Sequence, residues 1–277
     1  MPAARLAIMD ADARVPVRDG EVWAHDSGGA GRGGLPLVLL HPGVGDSAVW
    51  DPVLPLLAPG HRVIRYDARG HGRSPAPEAP YSQLEDLAAV LDRFRVGRAV
   101  LVGSSMGGAT ALGMALAAPE RVAGLALFVP GVTGAEGLTP PGFFDEVGRL
   151  AAAGDMEGIV RSGLRIWGRA GGGTPESDPV AAAQLRGALP AWFAAAGRLR
   201  EDAPAFGRLA EVRAPALLAL GELDQAEVVR CNEEMAARIP GCRLVRLAGC
   251  DHYPSLRAPE AVARLVDEAH AAAAAAA

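Results

Sequence analysis

Val100-Leu101-Val102-Gly103-Ser104-Ser105-Met106-Gly107-Gly108 is the stretch that decides how this chain folds. An apolar, β-branched run enters a small-x-Ser-x-small turn, and a small-residue helical pattern over 109–118 leaves it. Gly103 and Gly107 flank Ser105 where a side chain would collide with a sharp strand-to-helix turn, and glycine tolerates the backbone angles such a turn demands. The layout is that of a nucleophile elbow. It leaves Ser105 exposed at a helix N-terminus, where the dipole and free backbone N–H groups favour developing negative charge. Ser104 does not fit the same frame, because its flanks would be Val102 and Met106, too large for the turn. The motif alone is a modest signal, since glycine and serine are common. The strand before it and the helix after it supply the context it requires.

Strand signals recur at 14–17, 21–25, 37–41, 61–66, 99–103, 122–129, 216–221 and 243–248. The first two are joined by Arg18-Asp19-Gly20, a hairpin turn signature. After that pair, strands alternate with helical patterns at 49–57, 82–94, 110–118, 226–238 and 259–269. Such alternation predicts a mainly parallel sheet with helices on both faces. Leu37-Val38-Leu39-Leu40 and Leu125-Ala126-Leu127-Phe128 are continuously apolar, as strands buried on both faces should be. The order breaks between Pro130 and Ala214, where helical pieces rich in Gly, Pro and Ala carry Phe143, Phe144, Trp167, Trp192, Phe193 and Phe206. Two readings stay open for these aromatics: an apolar lid over a site, or the packing of the insertion's own core. Gly171-Gly172-Gly173 reads as a flexible joint between two of the pieces.

With 277 residues, half of them hydrophobic, the chain is long enough for one large α/β domain with an inserted subdomain. A formal net charge of −5 with no basic stripe argues against nucleic acid as a partner. All 27 positive charges are arginine, which reads as codon or lineage bias. Cys231, Cys242 and Cys250 are odd in number and form no C-x-x-C pair, so neither a disulfide framework nor a structural zinc site is supported. The N-terminal 18 residues mix Arg and Asp without a long apolar run, and no segment reaches the length of a membrane span. A soluble, cytoplasmic protein is expected. The alanine run 271–277 reads as a frayed helix end and is assigned no role.

An activated serine needs a base to take its proton and a third group to orient that base. His252 follows the last expected strand in Ala248-Gly249-Cys250-Asp251-His252, where a parallel sheet delivers it to the same edge as Ser105. His41 and His71 are rival bases in strand-following loops that backbone geometry explains better. His25, His61 and His270 read as surface residues. Asp224 follows the penultimate strand and is favoured as the orienting acid, with Glu222 and Asp251 as rivals. Side chains adjacent in sequence, as at 251 and 252, usually diverge. Two backbone N–H donors must stabilise an oxyanion. Met106 supplies one, and the loop His41-Pro42-Gly43-Val44-Gly45 the other. Pro42 has no N–H, so Gly43 is the candidate and Val44 the reserve.

With Gly103-Ser104-Ser105-Met106-Gly107, Asp67-Ala68-Arg69-Gly70-His71-Gly72-Arg73-Ser74, Asp224 and His252 in this order, nearly the whole chain resembles the α/β-hydrolase superfamily. Two departures are visible. The family's His-Gly before the oxyanion residue is His41-Pro42 here, and the usual small residue before the histidine is Asp251. The resemblance implies an eight-stranded, mainly parallel sheet with a helical cap: core at 1–130 and 215–277, cap at 131–214. It implies that the Asp67 to Ser74 loop is mostly structural, and it looks most like the enol-lactonase and small-esterase branch. The implied activity is hydrolysis of a small-molecule ester or lactone through an acyl-enzyme on Ser105, with no metal or cofactor. Serine at 105, where an aspartate would indicate one, argues against a dehalogenase or epoxide hydrolase. An acyltransferase, C–C bond hydrolase, cofactor-free perhydrolase or non-catalytic binder shares the scaffold. Arg161, Arg165 and Arg169 are candidates to pair with a substrate carboxylate, or else form a solvated helix face.

Overall fold

The structure, a computed structural model, describes residues 11–28, 34–200 and 202–276. The N-terminal stretch before Ala11 and the final Ala277 lie outside the described residues. Strands β1 (Ala11–Val17), β2 (Gly20–Asp26), β3 (Leu37–Leu40), β4 (Val63–Tyr66), β5 (Ala99–Ser104), β6 (Val122–Phe128), β7 (Ala216–Gly221) and β8 (Arg243–Leu247) form one sheet in the order β1-β2-β4-β3-β5-β6-β7-β8. β1 and β2 pair antiparallel, β2 and β4 likewise, and all other pairings are parallel.

Helices follow as α1 (Leu54–Leu57), α2 (Gln83–Arg93), α3 (Met106–Ala117), α4 (Phe143–Ala152), α5 (Met156–Trp167), α6 (Pro179–Ala195), α7 (Ala226–Arg238), α8 (Pro254–Arg257) and α9 (Pro259–Ala275). Ser82, Asp155 and Asp178 each cap the helix that follows by accepting a backbone N–H of its first turn. The strand period of two sends alternate side chains into two cores. Leu37, Leu39, Val100, Val102, Ala126 and Phe128 face α9 and the helices between β6 and β7. Val38, Leu40, Leu101, Leu125 and Leu127 face α2, α3 and α7. All residues of β3, β5, β6 and β7 are buried, as two-sided burial requires.

Three expectations are corrected. The helix expected over 49–57 is a 3-10 turn, Ser47–Trp50, followed by the single α-helical turn of α1. Pro52 lies between them and has no N–H to continue an α-helical ladder. Gly171 to Gly173 form a tight turn instead of a loose joint: all three amides donate to carbonyls of Gly168 or Arg169. A Cβ at 171 would also collide with the Asp178 carboxylate. The alanine run is packed for part of its length, because α9 continues to Ala275 and Ala273 is buried against Gly124. Among the described residues no helix is long and apolar enough to cross a membrane.

Candidate active site

Ser105 is the single residue between β5 and α3, and its backbone carries the turn at φ 49°, ψ −113°. A positive φ is costly for a residue with a Cβ and persists only where the surroundings enforce it. Here the Ser105 N–H donates to the Phe128 carbonyl at 3.2 Å, and its carbonyl accepts from Gly131 N–H at 2.9 Å. The glycines therefore do something narrower than expected. Gly103 and Gly107 do not adopt positive φ themselves. They give room: a Cβ at 107 would collide with the Leu40 carbonyl, and one at 103 would lie 2.5 Å from the Gly107 carbonyl. That close approach is also why the helix starts at Met106, earlier than the apolar pattern indicated. Val129, at the end of the neighbouring strand, has φ 42°, rarer still for a β-branched residue.

The structure brings three expected residues together. Ser105 Oγ lies 2.8 Å from His252 Nε2, and His252 Nδ1 lies 2.6 Å from Asp224 Oδ2. An ionised carboxylate only accepts, so Nδ1 carries the proton and Nε2 is left to accept from the serine hydroxyl. Asp224 Oδ1 accepts the Gln225 N–H at 2.8 Å, which fixes the carboxylate plane. Asp224 and His252 are buried, and the His252 amide donates to the Trp167 carbonyl at the end of α5. Such a chain of bonds can move the serine proton onto Nε2 as Oγ attacks an electrophile.

The rivals are placed elsewhere. Glu222 is exposed. Asp251 is fully buried but turns away from His252, accepting from Tyr253 N–H, Ala170 N–H and the Arg257 guanidinium, which also reaches Asp178 at 2.5 Å. His41 Nε2 accepts from Ala68 N–H, so its Nδ1–H donates to the Pro42 carbonyl. His71 Nδ1 donates to the Gly45 carbonyl at 2.9 Å. Burial first, and then the neighbouring His41, push the His71 pKa down to about 3, so the ring is neutral. His25, His61 and His270 are half-buried and bond to Asp12, Asp267 and the Leu35 carbonyl. In the loop from Asp67 to Ser74, Asp67 accepts from Ser47 and Arg73 amides. Its burial opposes ionisation, but His41 and these hydrogen bonds hold its carboxyl below the usual range. Arg69 forks onto the buried Asp86.

Ser105 and His252 open onto a cavity of about 370 Å³. Gly43, Val44 and Met106 also border it. None of their three backbone N–H groups donates to another described residue. Phe143, Phe144, Trp167 and Trp192 line it too, and their rings meet edge-on at 5.0 to 6.1 Å. They are therefore both a lining and a packed cluster. Phe193 and Phe206 do not line it. Nor do the three candidate arginines: Arg161 and Arg165 pair with Asp155 and Glu146 at the surface, and Arg169 is exposed. Sequence reasoning did not single out Tyr81, Gln83, Leu138 and Thr139, which are also part of the wall. Their types carry no chemical signature, and only the fold brings them to the serine. Among the described residues no three His, Cys, Asp or Glu side chains gather as a metal would need.

Residues 37–265 match the model of the alpha/beta hydrolase family. The chain belongs to that family. Over 248 residues it is 32% identical to the pimeloyl-[acyl-carrier protein] methyl ester esterase of Aromatoleum aromaticum, covering 84% of this chain and 96% of that one. Three other curated relatives align over shorter stretches, and this chain spans only 36%, 27% and 38% of their lengths. Among solved structures, Est816, described as an N-acyl homoserine lactone degrading enzyme, superposes with a TM-score of 0.75 at 28% identity, covering 92% of this chain and 99% of that one. The enol-lactonase from Burkholderia xenovorans LB400 superposes at 0.78 and 24% identity over 92% and 98%, a likeness of fold alone. Hydrolases and esterases recur in both comparisons, beside an acetyltransferase component and a synthase among the curated relatives.

Proposed function

We propose that this family member is a serine hydrolase that cleaves a small-molecule carboxylic ester or lactone through an acyl-enzyme. The observation that carries the reading is the hydrogen-bonded chain Ser105–His252–Asp224 at one end of an apolar cavity. Ser105 Oγ attacks the carbonyl carbon while His252 Nε2 takes its proton. His252 then returns that proton to the departing alcohol oxygen. Water, deprotonated by the same nitrogen, attacks the acyl carbon and releases the acid and Ser105. Asp224 keeps Nδ1 protonated throughout and steadies the imidazolium.

Met106 and Gly43 are the oxyanion donors in this reading. The geometry of the loop supports Gly43 over Val44. The Pro42 carbonyl is pinned by His41 Nδ1–H at 2.8 Å and Gly45 N–H at 3.3 Å. A trans peptide holds its N–H opposite its carbonyl, so the Gly43 N–H is fixed too. The Gly43 carbonyl accepts the Trp192 indole N–H at 2.6 Å, which turns the Val44 N–H away from that cavity-lining ring. In this reading the described residues of 131–214 act as a cap over a core formed by the described residues of 1–130 and 215–277. Three unpaired cysteines accord with a reducing, cytoplasmic setting.

The test is turnover of a short-chain p-nitrophenyl ester by the wild-type chain and by Ser105→Ala. Activity lost in the variant supports the reading, and activity retained at the wild-type rate overturns it. Alternative acceptors added during turnover report transfer in place of hydrolysis.

A further inference from the structure

One wall of the cavity is built from the segment that follows β4 and the first residue of α2, and it is polar without being charged. His71, Tyr81 and Gln83 all line the cavity, and no Asp, Glu, Arg or Lys side chain does. Each of the three has hydrogen-bonding capacity left over. His71 spends Nδ1–H on the Gly45 carbonyl and keeps Nε2 as a bare acceptor on a neutral ring. Gln83 Oε1 accepts the Thr110 hydroxyl at 2.8 Å, a proton shared with the Met106 carbonyl at 3.1 Å, so the Gln83 amide NH2 is unspent. The Tyr81 hydroxyl has no hydrogen-bond partner among the described residues, while its ring lies under the Arg69 guanidinium at 5.0 Å. Among the described residues the sealed polar atoms that lack a partner are Trp50 Nε1, Arg65 Nε, Gln225 Nε2 and Asn232 Oδ1. The three free groups are not among them, so they are not sealed from solvent, and the residues that carry them line the cavity.

An acceptor and two donors lining one cavity, with no formal charge, complement a group that offers one N–H and one carbonyl oxygen. A carboxylate entering here would lose its hydration without gaining a cation. An all-methylene chain would leave the three groups desolvated and unpaired. We propose that His71, Tyr81 and Gln83 form a subsite for an uncharged secondary amide, so that the preferred substrate is a neutral ester or lactone whose apolar chain carries one. The amide N–H donates to His71 Nε2, and its carbonyl accepts from Gln83 Nε2–H or the Tyr81 hydroxyl. The proposal rests on the serine-hydrolase reading above.

The experiment compares kcat/KM for p-nitrophenyl esters of equal chain length: one all-methylene, a series with a secondary amide at successive positions, and one ending in a carboxylate. The wild-type chain should favour an amide at one position over the methylene ester by about fivefold, the worth of one such hydrogen bond, with the carboxylate ester slowest. In at least one of Gln83→Met and Tyr81→Phe, each first shown by fluorophosphonate labelling to retain a reactive serine, that ratio should fall toward one. Ser105-dependent hydrolysis with no amide preference at any position overturns the subsite alone. So does a ratio unchanged in both variants, or a carboxylate ester that is fastest. No Ser105-dependent hydrolysis of any ester overturns the hydrolase reading and the subsite with it.

Discussion

Around Ser105 the polar groups are tied down one by one, whereas across the cavity Phe143, Trp167 and Trp192 hold one another only by ring edges. The first region comes from strand ends. Its serine, histidine and aspartate arrive on three loops of a buried parallel sheet, each fixed by backbone hydrogen bonds. The second comes from α4, α5 and α6, where contact is apolar area and many packings of similar volume would serve. In the proposed reading, then, chemistry resides where geometry is over-determined, and the aromatic side supplies an apolar lining whose packing is less tightly set.

The sharpest way to break this contrast is to remove the serine. Ser105→Ala should lower ester turnover by about 10⁶, the scale at which triad members fail as a unit, measured as kcat on a p-nitrophenyl ester. Next, Asp224→Asn should cost about 10⁴ in kcat, because an amide no longer holds the correct imidazole tautomer. A drop below tenfold would mean that His252 is oriented by something else.

Asp251 joins the two regions, since its carboxylate receives the Ala170 amide beside α5 and shares Arg257 with Asp178, the cap of α6. Asp251→Ala should destabilise the fold by about 3 kcal/mol, because it strips a partner from the part-buried Arg257 guanidinium and leaves the Ala170 amide without its acceptor. Urea unfolding reads this, and a loss under 1 kcal/mol would show the joint to be dispensable.

His71 gives a pH signature. Its pKa is about 3 when folded, against 6.5 for the ordinary side chain. The unfolded chain binds a proton there that the folded chain refuses. Stability from this group is therefore full above about pH 6.5 and lost as pH falls toward 3, at up to about 1.4 kcal/mol per pH unit. His71→Asn should flatten the dependence of the urea midpoint between pH 6.5 and 4.5. Parallel wild-type and variant curves would contradict the neutral ring on which the polar wall depends.

The smallest effect is expected of Trp192→Phe, which keeps a ring in the cluster but removes the donor to the Gly43 carbonyl. We expect kcat to fall about fivefold, one neutral hydrogen bond's worth, with KM nearly unchanged. A change in KM alone would place Trp192 with the lining and not with the loop it touches.

The same contrast explains what was legible in the sequence. Strands showed through their apolar runs, and Ser105, Asp224 and His252 through side-chain types that few structural duties share at strand ends. Pro52 is visible in the sequence too, yet the apolar pattern around it bridged the break it makes. The turn at Gly171 to Gly173 looked loose because glycine is permissive by composition; what tightens it is Asp178, which only the fold brings alongside. Likewise Asp251 declares nothing until Arg257 and Asp178 converge on it, and Trp192 lies 149 residues from the carbonyl it holds. Long-range polar pairs of common residue types leave no local pattern, and neither does the cavity wall of Tyr81, Gln83 and Thr139.

The central claim is that Ser105 is the nucleophile because His252 and Asp224 activate it. Its most direct test is stoichiometric fluorophosphonate labelling, with the modified peptide located by mass spectrometry in the wild-type chain and in His252→Ala. The account predicts one label per chain, on Ser105, and labelling slowed by orders of magnitude in the variant. A label on any other residue, or Ser105 labelled equally fast without His252, would contradict it.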